Sequence, residues 1–312
     1  MRNFLVEPPN IDFLKIRKLG YAFSIGLLLL SLALFFTKGF NLGLDFTGGT
    51  SVQIKLNKPS SIFEIRNILK EVKLDDTLIQ EIGTQKEEFE IRVPTKKGSS
   101  SEIVGKIKTA FDKAFPNGYE IRKIDFIDAF VGEEMRKASI YSIIFVMIGI
   151  LLYIGYRYEP TFAIAAIIPI SHDAIITLGL FSLIGKEIDL TVIAAVLTVL
   201  GYSLNDTVII FDRIRENIKL RGRKNLETII NRSINENLGR TLITSGTALF
   251  SVISILIFGG ESLNSFALAL LIGIVFGTYS SIYVAAPLIL EMERFIKGRI
   301  QKEKTIKPEV KG

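Results

Sequence analysis

The chain has 312 residues, 48% apolar and 22% charged, too apolar for one water-soluble core and too charged for a bundle buried on every side. A net charge of +6 would suit nucleic acid if it formed a patch, but the Lys and Arg residues gather beside long apolar runs. That distribution marks membrane topology and argues against a nucleic-acid partner. The absence of Cys excludes disulfide frameworks, thiolate metal sites and cysteine nucleophiles, and a single histidine, His172, cannot supply a histidine pair for zinc.

In chain order, residues 1–18 form a basic N-terminus and 19–36 an apolar run. Lys15, Arg17 and Lys18 before it, with Ser31 and Ala33 inside it, resemble a signal peptide. The apolar run nevertheless continues to Phe36, which favours a retained span. Residues 38–137 are mixed in character, and the region 139–290 holds five further apolar runs, near 139–156, 161–184, 190–211, 241–258 and 264–290. Each is close to the ~20 residues a helix needs to cross the hydrocarbon layer, and the last is long enough to tilt. The expectation is a polytopic α-helical membrane protein with six transmembrane helices in the lipid bilayer.

Orientation follows from the short loops. With the N-terminus inside, twenty Lys and Arg residues fall on the inner side and only Lys186 on the outer, leaving aside the long 38–137 segment. Both termini are then cytoplasmic and 38–137 extracytoplasmic. The charged stretch within the inner loop 212–240 reads as a surface helix that anchors by charge or meets a partner or anionic lipid. The 291–312 tail is basic, and beyond Arg294 it reads as disordered.

Within 38–137, Val52, Ile54 and Leu56 alternate as a strand, as do Phe89, Ile91 and Val93. Ser61 with Glu64 and Ser99 with Glu102 are capping boxes opening two helices. The second helix sets Ile103, Ile107, Ala110, Phe111 and Ala114 on one buried face. Further strands near 78–82 and 119–126 complete the order βαββαβ, a ferredoxin-like extracytoplasmic α+β domain. It carries no catalytic constellation, and its edge strands can accept an extended peptide.

Ionisable groups inside a span are costly and therefore candidate functional residues. The fourth run places Ser203, Asn205, Asp206 and Thr207 within two turns, and Arg240, at the start of the fifth, can reach inward to the depth of Asp206. Such a pair either fixes helix register or holds a carboxylate that gains and loses a proton. His172 and Asp173, just after Pro169 in the third run, either relay protons or hold a kink. Gly273 and Gly277 in the sixth run, followed by Thr278, Ser280 and Ser281, read as a close-packing face. Ser203 beside Asp206 also admits an intramembrane hydrolase, but no histidine shares that helix.

Four stretches resemble the SecD/SecF family of protein-export membrane proteins and, within it, the smaller SecF branch. They are Gly43-Leu-Asp-Phe-Thr-Gly-Gly49, the run from Gly201 through Asn205-Asp206-Thr207 to Asn217, Arg240-Thr-Leu-Ile-Thr-Ser245, and Gly277-Thr-Tyr-Ser-Ser-Ile-Tyr-Val-Ala285. The glycine-rich motif, with Gly43, Asp45, Gly48 and Gly49, is shared with SecD; the fourth-span motif is longer and more specific. The resemblance implies an auxiliary, non-enzymatic subunit of the bacterial Sec translocase in the cytoplasmic membrane, related to resistance-nodulation-division transporters. It implies SecD, the SecYEG translocon, YajC and translocating polypeptide as partners, and the proton gradient as energy source, with no metal or other cofactor. It matches Asp206 and Arg240 to the family's proton-coupling residues. The chain departs from the family pattern before the second span, where Phe126-Ile-Asp128 and Val131-Gly-Glu-Glu-Met135 stand. A small-molecule or lipid exporter of the same superfamily and a non-conducting structural subunit are the competing readings.

Overall fold

The computed structural model describes residues 9–74, 77–82, 85–94, 99–116 and 118–306. It divides into two compact units, one of Met1–Phe40, Ile143–Lys186 and Thr191–Gly312, the other of Asn41–Ser142 and Glu187–Leu190. The first helix, α1 (Arg17–Thr37), belongs to the larger unit.

The smaller unit opens on a helical turn, α2 (Leu44–Thr47), then runs β1 (Gly49–Leu56), α3 (Ile62–Glu71), β2 (Leu78–Ile82), β3 (Glu88–Val93), α4 (Ser100–Ala114) and β4 (Tyr119–Ile127). The strands lie in the order β2-β3-β1-β4 with every neighbour antiparallel, the ferredoxin-like βαββαβ arrangement. Alternation puts Val52, Ile54 and Leu56 on one face with Phe89, Ile91 and Val93, and this face is fully buried. Ile65 and Leu69 of α3 and Ile103, Ile107, Ala110 and Phe111 of α4 cover it. Both helices start as their capping boxes dictate. Ser61 Oγ accepts from the Glu64 N–H at 3.2 Å, and Ser99 Oγ from the Glu102 N–H at 3.4 Å. Ala114, expected on the buried face of α4, is exposed. Phe115 and Tyr119 close the core around Phe111, with ring centroids 5.9 and 5.5 Å away, and Ala114 lies outside that seal.

The paired glycines between α2 and β1 have a backbone reason. Gly48 sits at φ +64° and Gly49 at φ +138°, left-handed values that side chains with a Cβ avoid. A Cβ on Gly49 would also stand 2.5 Å from the Val93 carbonyl oxygen.

The larger unit contains α1, the latter part of α5 (Ala129–Arg157), α6 (Pro160–Ile184), α7 (Leu190–Arg221) from Thr191 onward, α8 (Leu226–Phe258), α9 (Glu261–Ser280) and α10 (Ala286–Ile306). A π-helical turn, Ser281–Ala285, joins α9 to α10 without a break. Among the described residues, six helices are long and apolar enough to cross a membrane, α9 and α10 acting together as one. About half of the apolar stretch of α6, α7 and the α9–α10 rod is buried, against 17% for α1, α5 and α8. The first three form the centre of the bundle. The others present outward apolar faces, including Phe145, Phe250 and Phe258, as lipid contact requires.

Two expectations are corrected. The charged stretch after Asp212 is no separate surface helix: α7 continues to Arg221, and α8 begins at Leu226 after a short turn. Part of its charge is absorbed within the chain, Glu236 accepting from Arg213, Arg232 and Asn217. The chain beyond Arg294, expected to be disordered, stays helical to Ile306; residues 307–312 lie outside the described residues. The segment just before α1 is held by α8, where Asn235 both accepts from the Ile11 N–H and donates to the Ile11 carbonyl, and Asn231 accepts from the Phe13 N–H.

Candidate functional site

The centre of the bundle is where apolar helices bury polar side chains. Ser203, Asp206 and Thr207 of α7 are wholly buried, one turn apart on the same side because residues three and four apart share a helix face. Asn205, from the same cluster of the sequence, is exposed on another face.

Asp206 Oδ2 accepts a hydrogen bond from Ser245 Oγ of α8 at 3.3 Å. Thr278 Oγ1 of α9 in turn donates to Ser245 Oγ at 2.7 Å. Asp206 Oδ1 and Thr207 Oγ1 are buried and have no hydrogen-bond partner among the described residues. The Asp206–Arg240 ion pair that depth alone allows is not formed. Arg240 is exposed, and among the described residues it makes no salt bridge. The reason is rotational. Thr241 and Ser245 face the interior of the bundle, and each residue turns ~100° around a helix, so Arg240 lies at an exposed position while Ser245 takes the place beside the carboxylate.

His172 and Asp173 occupy the middle of α6 and are also buried. Asp173 Oδ2 accepts from Ser203 Oγ of α7 at 2.6 Å and from Ser280 Oγ of α9 at 2.8 Å. Its Oδ1 lies 2.9 Å from His172 Nδ1. The pair therefore does more than brace the backbone near Pro169, since one carboxylate clasps three helices. Ser203 and Asp206 put the two acidic nodes a single turn apart on α7, and Thr278 and Ser280 give α9 a hand in both. Gly273 and Gly277 make that closeness possible: Gly277 faces the Ser203 Cβ, which a methyl in its place would meet at 3.1 Å, and Gly273 faces the Val199 side chain. Sequence reasoning missed Ser245 and Ser280 as partners. Their signal was a hydroxyl at a bundle-facing position inside an apolar run.

The Gly43 motif is built into the smaller unit. Gly43 N–H donates to the Ile188 carbonyl and Ile188 N–H to the Asn41 carbonyl, both at 2.8 Å. Asp45 Oδ2 accepts from the N–H of Leu190 at 2.9 Å, so its carboxylate caps the first residue of α7, a charge-assisted bond at a helix N-terminus. Beside it Arg92 ion-pairs with Glu187 and, at 2.6 Å, with Glu90. Burial raises the Glu187 carboxyl above its ordinary value despite Arg92. Burial acts the same way on Glu90, but hydrogen bonds from Arg92 and Ser51 outweigh it and hold Glu90 below the usual range.

A six-span bundle with buried acidic nodes, attached in sequence to a ferredoxin-like domain, defines a class of polytopic membrane protein whose membrane interior is built for polar work. Comparison with known proteins names the class. The profile described as "Protein export membrane protein SecD/SecF, C-terminal" matches residues 106–295, and the "SecD/SecF GG Motif" matches 33–60. A protein translocase subunit SecF from Calditerrivibrio nitroreducens is 44% identical over 90% of this chain and 93% of its own. Its counterpart from Vibrio alginolyticus is 41% identical over 99% and 96%. The crystal structure of SecDF from Thermus thermophilus, described as a translocon-associated membrane protein, superposes with a TM-score of 0.83 at 33% identity, covering 92% of this chain. The chain spans 39% of that SecDF chain's length. This protein belongs to the SecD/SecF family of protein-export membrane proteins, on the SecF side.

Proposed function

We propose that the protein is an accessory subunit of the Sec protein translocase in the bacterial cytoplasmic membrane, using the proton gradient with a SecD partner to promote polypeptide export. In this reading the termini are cytoplasmic, the ferredoxin-like unit is extracytoplasmic, and the SecYEG translocon, YajC and translocating polypeptide are further partners. The names of its relatives support the role, and the loop charges support the orientation.

The observation that carries the proton-coupling part is Asp206, a carboxylate wholly buried among apolar helices, with one oxygen held by Ser245 and the other free of any partner among the described residues. Such a group can take up a proton on its free oxygen and release it again. Charged, it draws a cation inward, and Arg240 on the next helix has the reach to answer by extending along α8. Protonated, it lets Arg240 return to the exposed position. One elementary charge crossing the membrane is worth ~2.3 kcal/mol per 100 mV, enough to shift a two-state equilibrium about fiftyfold. The discriminating variant is Asp206→Asn, which keeps shape and removes titration. Proton-dependent export by reconstituted vesicles should be abolished while assembly with the SecD partner persists. Export at the wild-type rate would mean that Asp206 is structural only.

A further inference from the structure

At the end of the bundle where α5 and α7 finish and α6 begins lies a cavity of about 210 Å³, lined by Tyr158, Glu159, Phe162, Arg215, Ile218, Lys219 and Arg223. Its polar rim is unevenly matched. Arg223 is committed, since its Nη2 binds both Glu159 oxygens at 2.6 and 2.8 Å and its Nη1 meets Glu293 at 3.3 Å. Arg215 has only the Arg157 carbonyl, at 3.3 Å, and among the described residues neither Arg215 nor Lys219 pairs with a carboxylate. Arg215 is nonetheless held in place. Its guanidinium carbon lies 5.8 Å from the centroid of the Tyr158 ring, and that of Arg157 lies 5.7 Å from the same ring, within cation–π range. The Tyr158 hydroxyl donates to Asp212 at 2.8 Å and fixes the ring. The floor is apolar, with Phe162 buried and Ile218 beside it.

We propose that this cavity binds the phosphate headgroup of an anionic phospholipid. Arg215 and Lys219, one turn apart on α7, supply N–H donors and two charges that nothing among the described residues neutralises. Phe162 and Ile218 receive the glycerol and the first methylenes. The cavity is smaller than the roughly 300 Å³ at which drug-sized ligand sites begin, a fit for a phosphodiester and its glycerol. It sits where apolar spans end and headgroups lie, and the almost wholly exposed Tyr156 stands two residues before Tyr158 in the chain, an aromatic of the kind that marks the membrane interface. A general excess of inner positive charge would attract anionic lipid diffusely. A shaped cavity with a ring-stacked arginine makes the attraction local. The proposal rests on the cytoplasmic placement of the termini only for naming the leaflet, the cytoplasmic one; it does not depend on proton coupling.

The test uses the full chain in phosphatidylcholine vesicles containing a small fraction of spin-labelled phosphatidylglycerol, reading the association of that lipid relative to labelled phosphatidylcholine. At ~1 kcal/mol per basic residue near an anionic surface, Arg215→Gln with Lys219→Gln should lower the preference up to about thirtyfold. Lys219→Gln alone, at an exposed position, should lower it about fivefold, which keeps the test informative if the double variant folds poorly. Lys15→Gln with Lys18→Gln removes equal charge elsewhere on the same side and should leave the preference nearly unchanged. Equal losses in the two double variants would reduce the site to diffuse surface charge and overturn the proposal. So would displacement of the labelled lipid by inorganic phosphate, which would make the ligand a soluble anion. Export measured on Lys219→Gln separates this inference from the proposed export role, because Asp206 is untouched.

Discussion

At the scale of single residues, Asp173 is engaged on three sides, with acceptor bonds to α7 and α9 and a histidine partner on its own helix. Asp173→Ala would strand the Ser203 hydroxyl and an imidazole nitrogen among apolar atoms, while Ser280 would keep its bond to the Gly277 carbonyl. A buried polar group without a partner costs ~1–3 kcal/mol, while hydrogen bonds between membrane helices average only ~0.6 kcal/mol. The expected loss for Asp173→Ala is therefore about 1–3 kcal/mol in reversible unfolding from detergent micelles, whereas Ser203→Ala should cost under about 1 kcal/mol. If both variants lost the same amount, the carboxylate would not be the hub of this network. How much of this was legible beforehand differs by residue. Asp206 and Asp173 announce themselves, because a carboxylate within an apolar run has few tolerable surroundings. Ser245 and Ser280 do not, because hydroxyls in helices commonly bond their own preceding turn, as Ser254 does to the Phe250 carbonyl and Thr244 to that of Arg240. Which of them reach across is decided by rotation about the helix axis. The same blindness explains Arg240: counting residues gives depth along α8 and says nothing of azimuth.

At the scale of elements, spans and capping boxes were readable because each rests on local physics, length against bilayer thickness and a side chain against its own backbone. Helix ends beyond the apolar runs were not. Continuation of α7 to Arg221 and of α10 to Ile306 depends on polar residues with no span signal, held in the first case by neighbours such as Ser233 and Glu236 around Asn217. The packing of α9 on α7 leaves no room for a side chain at Gly273. A side chain at Gly273 must displace Val199, whose branched Cβ leaves it little rotameric freedom. Gly273→Leu should lower bundle stability by about 1–3 kcal/mol, the usual scale of overpacking. Differential scanning of the purified variant checks it, and an unchanged midpoint would show that α9 can move off α7 without cost.

At the scale of the whole molecule, acidity should act on the ferredoxin-like unit through Glu90, Arg92 and Glu187. Glu90, held below its ordinary value of 4.5, contributes stability that is present above that value and lost as pH falls through its depressed one. Glu187, raised by burial, acts in the opposite sense: its contribution is present below the ordinary value and fades as pH climbs through the raised one. Thermal unfolding of the full chain from pH 7 to pH 3 should therefore show a decline below about pH 4.5, shallower in Glu90→Gln than in the unaltered protein. Parallel curves would remove Glu90 from the account.

The π-helical turn at Ser281–Ala285 bears on the molecule in another way. A π turn accommodates one residue more than the α-helical path it replaces, so it works as a phase shifter between the two lengths of one continuous rod. The hydroxyl side of α9, with Thr278 and Ser280, and the apolar side of α10, with Ile289 and Leu290 in the core, are set by different windings. Removing a single residue there would leave a regular helix of nearly unaltered composition. Its second half would keep its facing, whereas winding the same five residues as regular α-helix would rotate that half by ~100° and swing Ile289 and Leu290 out of the core while every hydroxyl before the turn kept its place.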